Sequence, residues 1–369
     1  MGQSKTPYID DLQCVVRTDV GMRRAMNQDS SAVVLAEDEQ AWVTRGHVFM
    51  VADGMGAHAA GELASKLAVD NLPHLYNHDR ELAAPEALEK AIRDTNAEIH
   101  RRGLANLDFR AMGTTASVLV LLPQGAMLGH VGDSRVYRLR GQQLEQLTFD
   151  HSLQWELRSL KIITEGSDSY KAVPKNVITR SLGPNANVVA DLEGPFPLEI
   201  GDTFLLCSDG LSGQIEDREI GSLLAYLPPE DAATVLVDLA NLRGGPDNIT
   251  LVIVKIVGPG LATASTGGGT SAGGAYPGRR RRKSGRVGRV GGLLAAGRCT
   301  LAGRPARTRR AVCRRRIRGR GVGLDHAVLA SRAGRKVDRP GRELGEGSLR
   351  HHDVQRRERV CTDARHDFG

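Results

Sequence analysis

The chain has 369 residues, 40% apolar and 25% charged, enough apolar material for a sizeable hydrophobic core. No run approaches the ~20 apolar residues of a membrane span and no charged-then-apolar leader opens the chain, so a cytoplasmic protein without a membrane span is expected. The net charge of +7 belongs to the tail: residues 258–369 carry 27 Lys+Arg against 8 Asp+Glu, leaving 23 against 35 in residues 1–257, so no nucleic acid is expected on that acidic segment.

In chain order, residues 13–20 and 31–36 read as strands, with Arg24-Ala25-Met26-Asn27-Gln28-Asp29 on the loop between them. Residues 47–52 form a nearly continuous apolar strand, and Asp53-Gly54-Met55-Gly56 turns out of it. A helix follows from about Ala59, with Leu63, Leu67, Leu72 and Leu75 on one face. Pro85 opens a second helix, lined by Leu88, Ile92, Thr95 and Ile99. Strands are predicted at 116–122, 127–131 and 136–140, with a short one near Leu144. Residues 151–180 are polar and mixed and read as a flap with a short helix. A strand at 203–207, helices near 216–227 and 229–242, and a strand at 249–257 complete the pattern. This order predicts an α+β fold: two packed antiparallel β-sheets (a β-sandwich) flanked by helix pairs, α-β-β-α.

Residues 258–278 are rich in Gly, Ser, Thr and Ala and read as a linker. The Arg/Gly-rich tail, 279–369, has no periodicity and is expected to be disordered. It admits two readings: a basic arm for nucleic acid or an anionic membrane, or an out-of-frame translation of a GC-rich gene. The lack of interleaved aromatics after residue 257 (only Tyr276 in the linker and Phe368 in the tail) and of periodicity favours the second. The five cysteines are odd in number and never in Cys-x-x-Cys spacing, so Cys14 and Cys207, inside strand patterns, are expected to be buried reduced thiols.

Four acidic motifs carry the chemistry: Arg24 to Asp29, Asp53-Gly54, Ser208-Asp209-Gly210, and Pro246-Asp247-Asn248. Carboxylates at strand ends are costly to desolvate unless they are paired or bind a cation. Asp53, Asp209 and Asp247 are candidate ligands of Mg²⁺ or Mn²⁺, with Asp53 bridging and the Gly54 carbonyl close enough to contribute. Two such ions ~3.5–4 Å apart share a bridging water, whose hydroxide attacks phosphorus in line. Arg24 offers a planar fork for two phosphate oxygens.

The ordered set R-x-x-N-Q-D, V-A-D-G-M-G-x-H-x-x-G-E, M-G-T-T, G-H-V-G-D-S-R, S-D-G-L and G-P-D-N-I-T resembles the metal-dependent (type 2C) serine/threonine protein phosphatases in their bacterial form. The resemblance covers residues 10–257 and implies a catalytic domain at 1–257 that hydrolyses phosphoserine and phosphothreonine by direct attack of a metal-bridging hydroxide. It implies two Mn²⁺ or Mg²⁺ ions held by Asp53, Gly54, Asp209 and Asp247. A third, weaker ion is implied at Asp133. Asp29 is implied near the metals, Arg24 on the phosphate, and Asn248 as support for Asp247. Met55 stands where animal members often carry a His, as in bacterial members, and Ala57 replaces a usual glycine. The implied partners are phosphorylated proteins, serine/threonine kinases and their substrates among them, and the implied state is a monomer. Two bland alternatives stand beside this: Asp133 as the cap of a hairpin turn, and Arg24 as a solvated partner of Asp29. His58 and His130 are expected to be structural, since the metals in question prefer oxygen.

Overall fold

The computed structural model describes residues 7–56, 59–164, 166–174, 177–262 and 359–360. The chain opens with helix α1 (Pro7–Asp10), strands β1 (Leu12–Asp19) and β2 (Asp29–Val34), helix α2 (Glu39–Thr44) and strand β3 (His47–Met55). Two long helices follow, α3 (Ala60–His78) and α4 (Ala84–Ala105). Next come β4 (Gly113–Thr114), β5 (Ala116–Leu122), β6 (Gly125–Val131), β7 (Arg135–Arg140) and β8 (Gln143–Gln146), then short helices α5 (Leu153–Ser159) and α6 (Asp168–Ala172). Strands β9 (Asp191–Phe196) and β10 (Thr203–Cys207) lead to helices α7 (Asp209–Ser212), α8 (Asp217–Tyr226) and α9 (Pro229–Leu242), strand β11 (Ile249–Ile256) and the two-residue strand β12 (Arg359–Val360).

All pairings are antiparallel, and they form two sheets: β12-β1-β11-β10-β7-β8 and β2-β3-β5-β6-β9, with β4 added to the end of β3. Both faces of the central strands are covered, which explains why they read as continuous apolar runs rather than alternating ones. In β3, Val48, Met50 and Ala52 pack with Leu72, Leu88 and Ile92 of α3 and α4, while Phe49 and Val51 face the other sheet. In β11, Val252 and Val254 meet them, and Leu251 and Ile253 pack with Leu236 and Ala240 of α9. The expected α-β-β-α sandwich is therefore observed, with Leu88, Ile92, Thr95 and Ile99 all buried on the inner face of α4. Cys14 and Cys207 are buried thiols, as expected.

Several elements depart from the expectation. β2 begins at Asp29, not Ser31, because its pairing with β3 extends as far as Asp53; Asp29 lies in the sheet opposite Asp53, not on the preceding loop. Helix α2 and strand β9 were not anticipated. β9 carries Gly194 and Pro195, which disfavour a strand assignment; it sits at a sheet edge, where Pro is tolerated. The expectations for Ala57, His58, the flap residues Lys175 and Asn176, and nearly all of the linker and tail lie outside the described residues.

Antiparallel pairing puts the motifs at one end. β3 and β10 run toward that end, and β2 and β11 start from it; Asp29 faces Asp53, and Cys207 faces Leu251. β6 ends there too, with Val131 opposite Ala116 at the start of β5.

Candidate functional site

Asp53 is held through its backbone. Its N–H donates to the Thr115 hydroxyl (2.8 Å), and its carbonyl accepts from Thr115 N–H and the Thr114 hydroxyl (2.9 Å each). The Thr115 and Ser134 hydroxyls lie 2.7 Å apart, which ties Asp53 to the turn that carries Asp133. A side chain at Gly54 would put its Cβ 2.1 Å from the Gly61 carbonyl oxygen of α3, so glycine is required there by close packing. Asp209 opens α7 directly after β10. Asp29 accepts from the Ser208 hydroxyl at Oδ2 (2.8 Å), and Ser208 in turn accepts from Thr250 N–H (3.0 Å).

Arg24 donates to Asp247 Oδ2 at 2.7 Å. This removes the alternative in which Arg24 is a solvated partner of Asp29. Asn248 was expected to support Asp247, but its side chain organises the loop that carries Arg24. Nδ2 donates to the carbonyls of Val20 (2.9 Å) and Met26 (3.0 Å), and Oδ1 accepts from Gln28 N–H (2.9 Å). Only its backbone N–H reaches Asp247 Oδ1, at 2.9 Å. Met22 N–H donates to the Gly245 carbonyl at 2.8 Å, closing the same loop onto the Asp247 turn.

Five carboxylates share this end of the sandwich with the guanidinium of Arg24, and the charge of Arg135 also reaches Asp133 and Asp209. Burial, then the charges of Asp29 and Asp209, hold the Asp53 carboxyl well above the usual carboxylate range. Asp29 is pushed up to about 7 by burial, against the Ser208 and Thr250 hydrogen bonds that lower it. Asp133 is pushed up to about 8 by burial and by Asp209. Asp209 is raised by burial and by Asp247, although a hydrogen bond with Asp53 opposes this. Oδ1 of Asp29 and Oδ1 of Asp133 are both buried with no hydrogen-bond partner.

Mutually repelling oxygens with orphaned buried acceptors are the signature of a missing positive charge, and an all-oxygen donor set fits Mg²⁺ or Mn²⁺. Among the described residues no three acidic, His or Cys side chains already stand at ligand spacing around one point. Instead Asp209 leans on Asp53, and Arg24 holds Asp247. Rotation of those carboxylates toward a cation would release Arg24.

The residues named by the motifs are therefore brought together. Thr115, Ser134 and Ser208 were not assigned roles from the sequence, although all three sit inside the quoted motifs. His130 is structural, as expected: it is buried, its Nδ1 lies 3.0 Å from the Ser117 hydroxyl, and its Nε2 lies 3.1 Å from the Phe149 carbonyl.

Residues 22–238 match the family described as Protein phosphatase 2C. The chain is 35% identical over 244 residues to the serine/threonine phosphatase stp of Listeria monocytogenes, covering 65% of this chain and 94% of that one. It is similar in structure to the Mycobacterium tuberculosis serine/threonine phosphatase PstP/Ppp, with a TM-score of 0.58 and 33% identity over 67% of this chain and 99% of that one. A structure of the PstP catalytic domain in complex with two manganese ions is similar at TM-score 0.56 and 33% identity, covering 67% of this chain and 99% of that one.

Proposed function

We propose that this chain, which belongs to the protein phosphatase 2C family, carries its active centre at the carboxylate end of the sandwich, with Asp53, Gly54, Asp209 and Asp247 as metal ligands. It is a Mn²⁺- or Mg²⁺-dependent serine/threonine phosphatase that acts on phosphorylated proteins. The observation that carries the residue assignment is the cluster of raised carboxyls with orphaned Oδ1 atoms on Asp29 and Asp133.

When bound, divalent ions neutralise these carboxylates, act as Lewis acids toward the phosphoryl group and acidify water at the site. Arg24, on a loop pinned by Asn248, would bind and orient the phosphate through its planar fork. Asp29, held by Ser208, orients water with its free Oδ1. Asp133 holds a third, weaker ion.

The catalytic domain is proposed to span residues 1–257, followed by a linker at 258–278 and a tail at 279–369. Phosphorylated serine/threonine kinases and their targets are the proposed partners. A cytoplasmic monomer is the proposed setting, supported by the reduced, buried Cys14 and Cys207. Among the described residues no helix is long and apolar enough to cross a membrane.

The test is hydrolysis of a phosphothreonine peptide by the full chain, with Mn²⁺ and with chelator, beside Asp209→Asn. Turnover is expected to need metal and to fall by about 10²-fold or more in the variant. Metal-independent turnover, or full activity in the variant, would overturn the assignment. Binding of phosphopeptide without turnover would point to a non-catalytic phosphoprotein-binding relative.

A further inference from the structure

Two consecutive residues at the root of the flap, Asp150 and His151, grip the turn that carries Asp133 from both sides. Arg135 donates from Nε to Asp150 Oδ1 (2.9 Å) and from Nη2 to Asp150 Oδ2 (2.6 Å). On the other side, Gly132 and His151 exchange two hydrogen bonds. His151 N–H donates to the Gly132 carbonyl (2.7 Å), and Gly132 N–H donates to His151 Nδ1 (2.9 Å).

Gly132 has φ +118°, and a Cβ there would lie 2.5 Å from the Thr115 Cβ, so the turn is wedged against β5. The imidazole is therefore the part of this clamp that chemistry can vary without a clash. Because Gly132 N–H points at Nδ1, the proton of the neutral ring sits on Nε2. Nε2 faces Asp191 Oδ2 at 3.1 Å, and Asp191 Oδ1 accepts from Arg180 Nη1 at 2.7 Å. His151 also holds the far stem of the flap, since its carbonyl accepts from Thr179 N–H at 2.8 Å. The ring is 6% exposed and lies 4.9 Å from the ring of His130. One buried residue thus joins the Asp133 turn to both flap stems, its ring holding Gly132 and Asp191 and its backbone carbonyl holding Thr179.

We propose that His151 is a positioning residue whose ring, by holding Gly132 N–H and Asp191, sets the Asp133 carboxylate and couples it to the flap. This rests on the reading of Asp133 as an ion ligand. Losing the Nδ1 acceptor leaves the N–H of the 131–132 peptide unpaired and loosens the turn at Gly132, next to Asp133, while the 132–133 peptide keeps its bond from His151 N–H. Losing the Nε2 donor releases Asp191, the partner of Arg180 at the far stem, but leaves the turn in place.

Two substitutions separate these arms in the full chain. In His151→Asn the side-chain carbonyl oxygen stands near the position of Nδ1 and can still accept from Gly132. In His151→Gln the amide reaches toward Asp191 but leaves Gly132 N–H without an acceptor. Mn²⁺ titration followed by electron paramagnetic resonance counts the ions and their affinities, and peptide hydrolysis is measured in parallel.

His151→Gln is expected to weaken the weakest Mn²⁺ site about tenfold. It should raise the Mn²⁺ concentration for half-maximal turnover by the same factor, with KM for the phosphopeptide unchanged. His151→Asn should restore the Mn²⁺ affinity. Wild-type Mn²⁺ binding in His151→Gln would overturn the proposal, as would equal loss of Mn²⁺ affinity and melting temperature in both variants. Asp133→Ala serves as the reference: if it removes no Mn²⁺, the ligand reading of Asp133 fails, and this proposal with it. Loss of that ion in Asp133→Ala with His151→Gln unaffected would overturn the positioning role alone.

Discussion

Asp29 and Asp133 each bury one carboxylate oxygen without a partner, and the folded protein answers by holding on to their protons. Their folded values of about 7 and about 8 stand above the ordinary Asp value near 3.9 of an unfolded chain. Stability from this source is complete below the unfolded value and is lost as pH rises through the folded ones. Without divalent ions, the melting temperature should therefore fall as pH is raised from about 5 to about 8. Mn²⁺ should raise it more at the upper pH, where the carboxylates have ionised and can bind. A melting temperature that ignores both pH and Mn²⁺ across that window would contradict this account. The acidic residues themselves were legible in the sequence, because a carboxylate at the end of a buried strand is rare enough to be noticed. Their hydroxyl supports were not, because Thr115 and Ser208 are ordinary small polar residues until the fold sets them beside Asp53 and Asp29.

At the scale of elements, the loop between β1 and β2 is shaped by a residue more than two hundred positions away. Asn248 is buried and saturates two carbonyls and one N–H of that loop, so Asn248→Ala would leave three backbone groups unpaired. The expected cost is about 2–3 kcal/mol of unfolding free energy, read from denaturant curves. The KM for phosphopeptide should also rise, because Arg24 sits on the loosened segment. Unchanged stability would mean that water replaces the amide in the fold. Long periodic elements such as α4 were readable because Leu88, Ile92, Thr95 and Ile99 repeat at helical spacing. β9 was not, because its pairing with β6 comes from a neighbour rather than from its own residues. The flap helices α5 and α6 are short and N-capped by Ser152 and Ser167, signals too local to define a segment on their own.

Across the whole molecule, the two sheets share a core of Phe49, Val51, Leu119, Phe204, Val252 and Val254, and each outer face is sealed by a helix pair. All the proposed site residues lie within residues 24–247. A chain ending at residue 262 loses only the two-residue edge strand β12 from the described fold, so it should melt close to the full chain and retain metal-dependent turnover. Loss of folding on that truncation would show that later residues belong to the domain. The sequence alone determined the sandwich class, the four acidic motifs and the family resemblance, because strands apolar on both faces and strand-end carboxylates are local patterns. Only the tertiary structure decided that Arg24 pairs with Asp247, that Asn248 clamps a distant loop, and that His151 joins the Asp133 turn to the flap. Those contacts join residues far apart in sequence, and no spacing along a chain encodes which backbone groups a fold will leave in need of a partner.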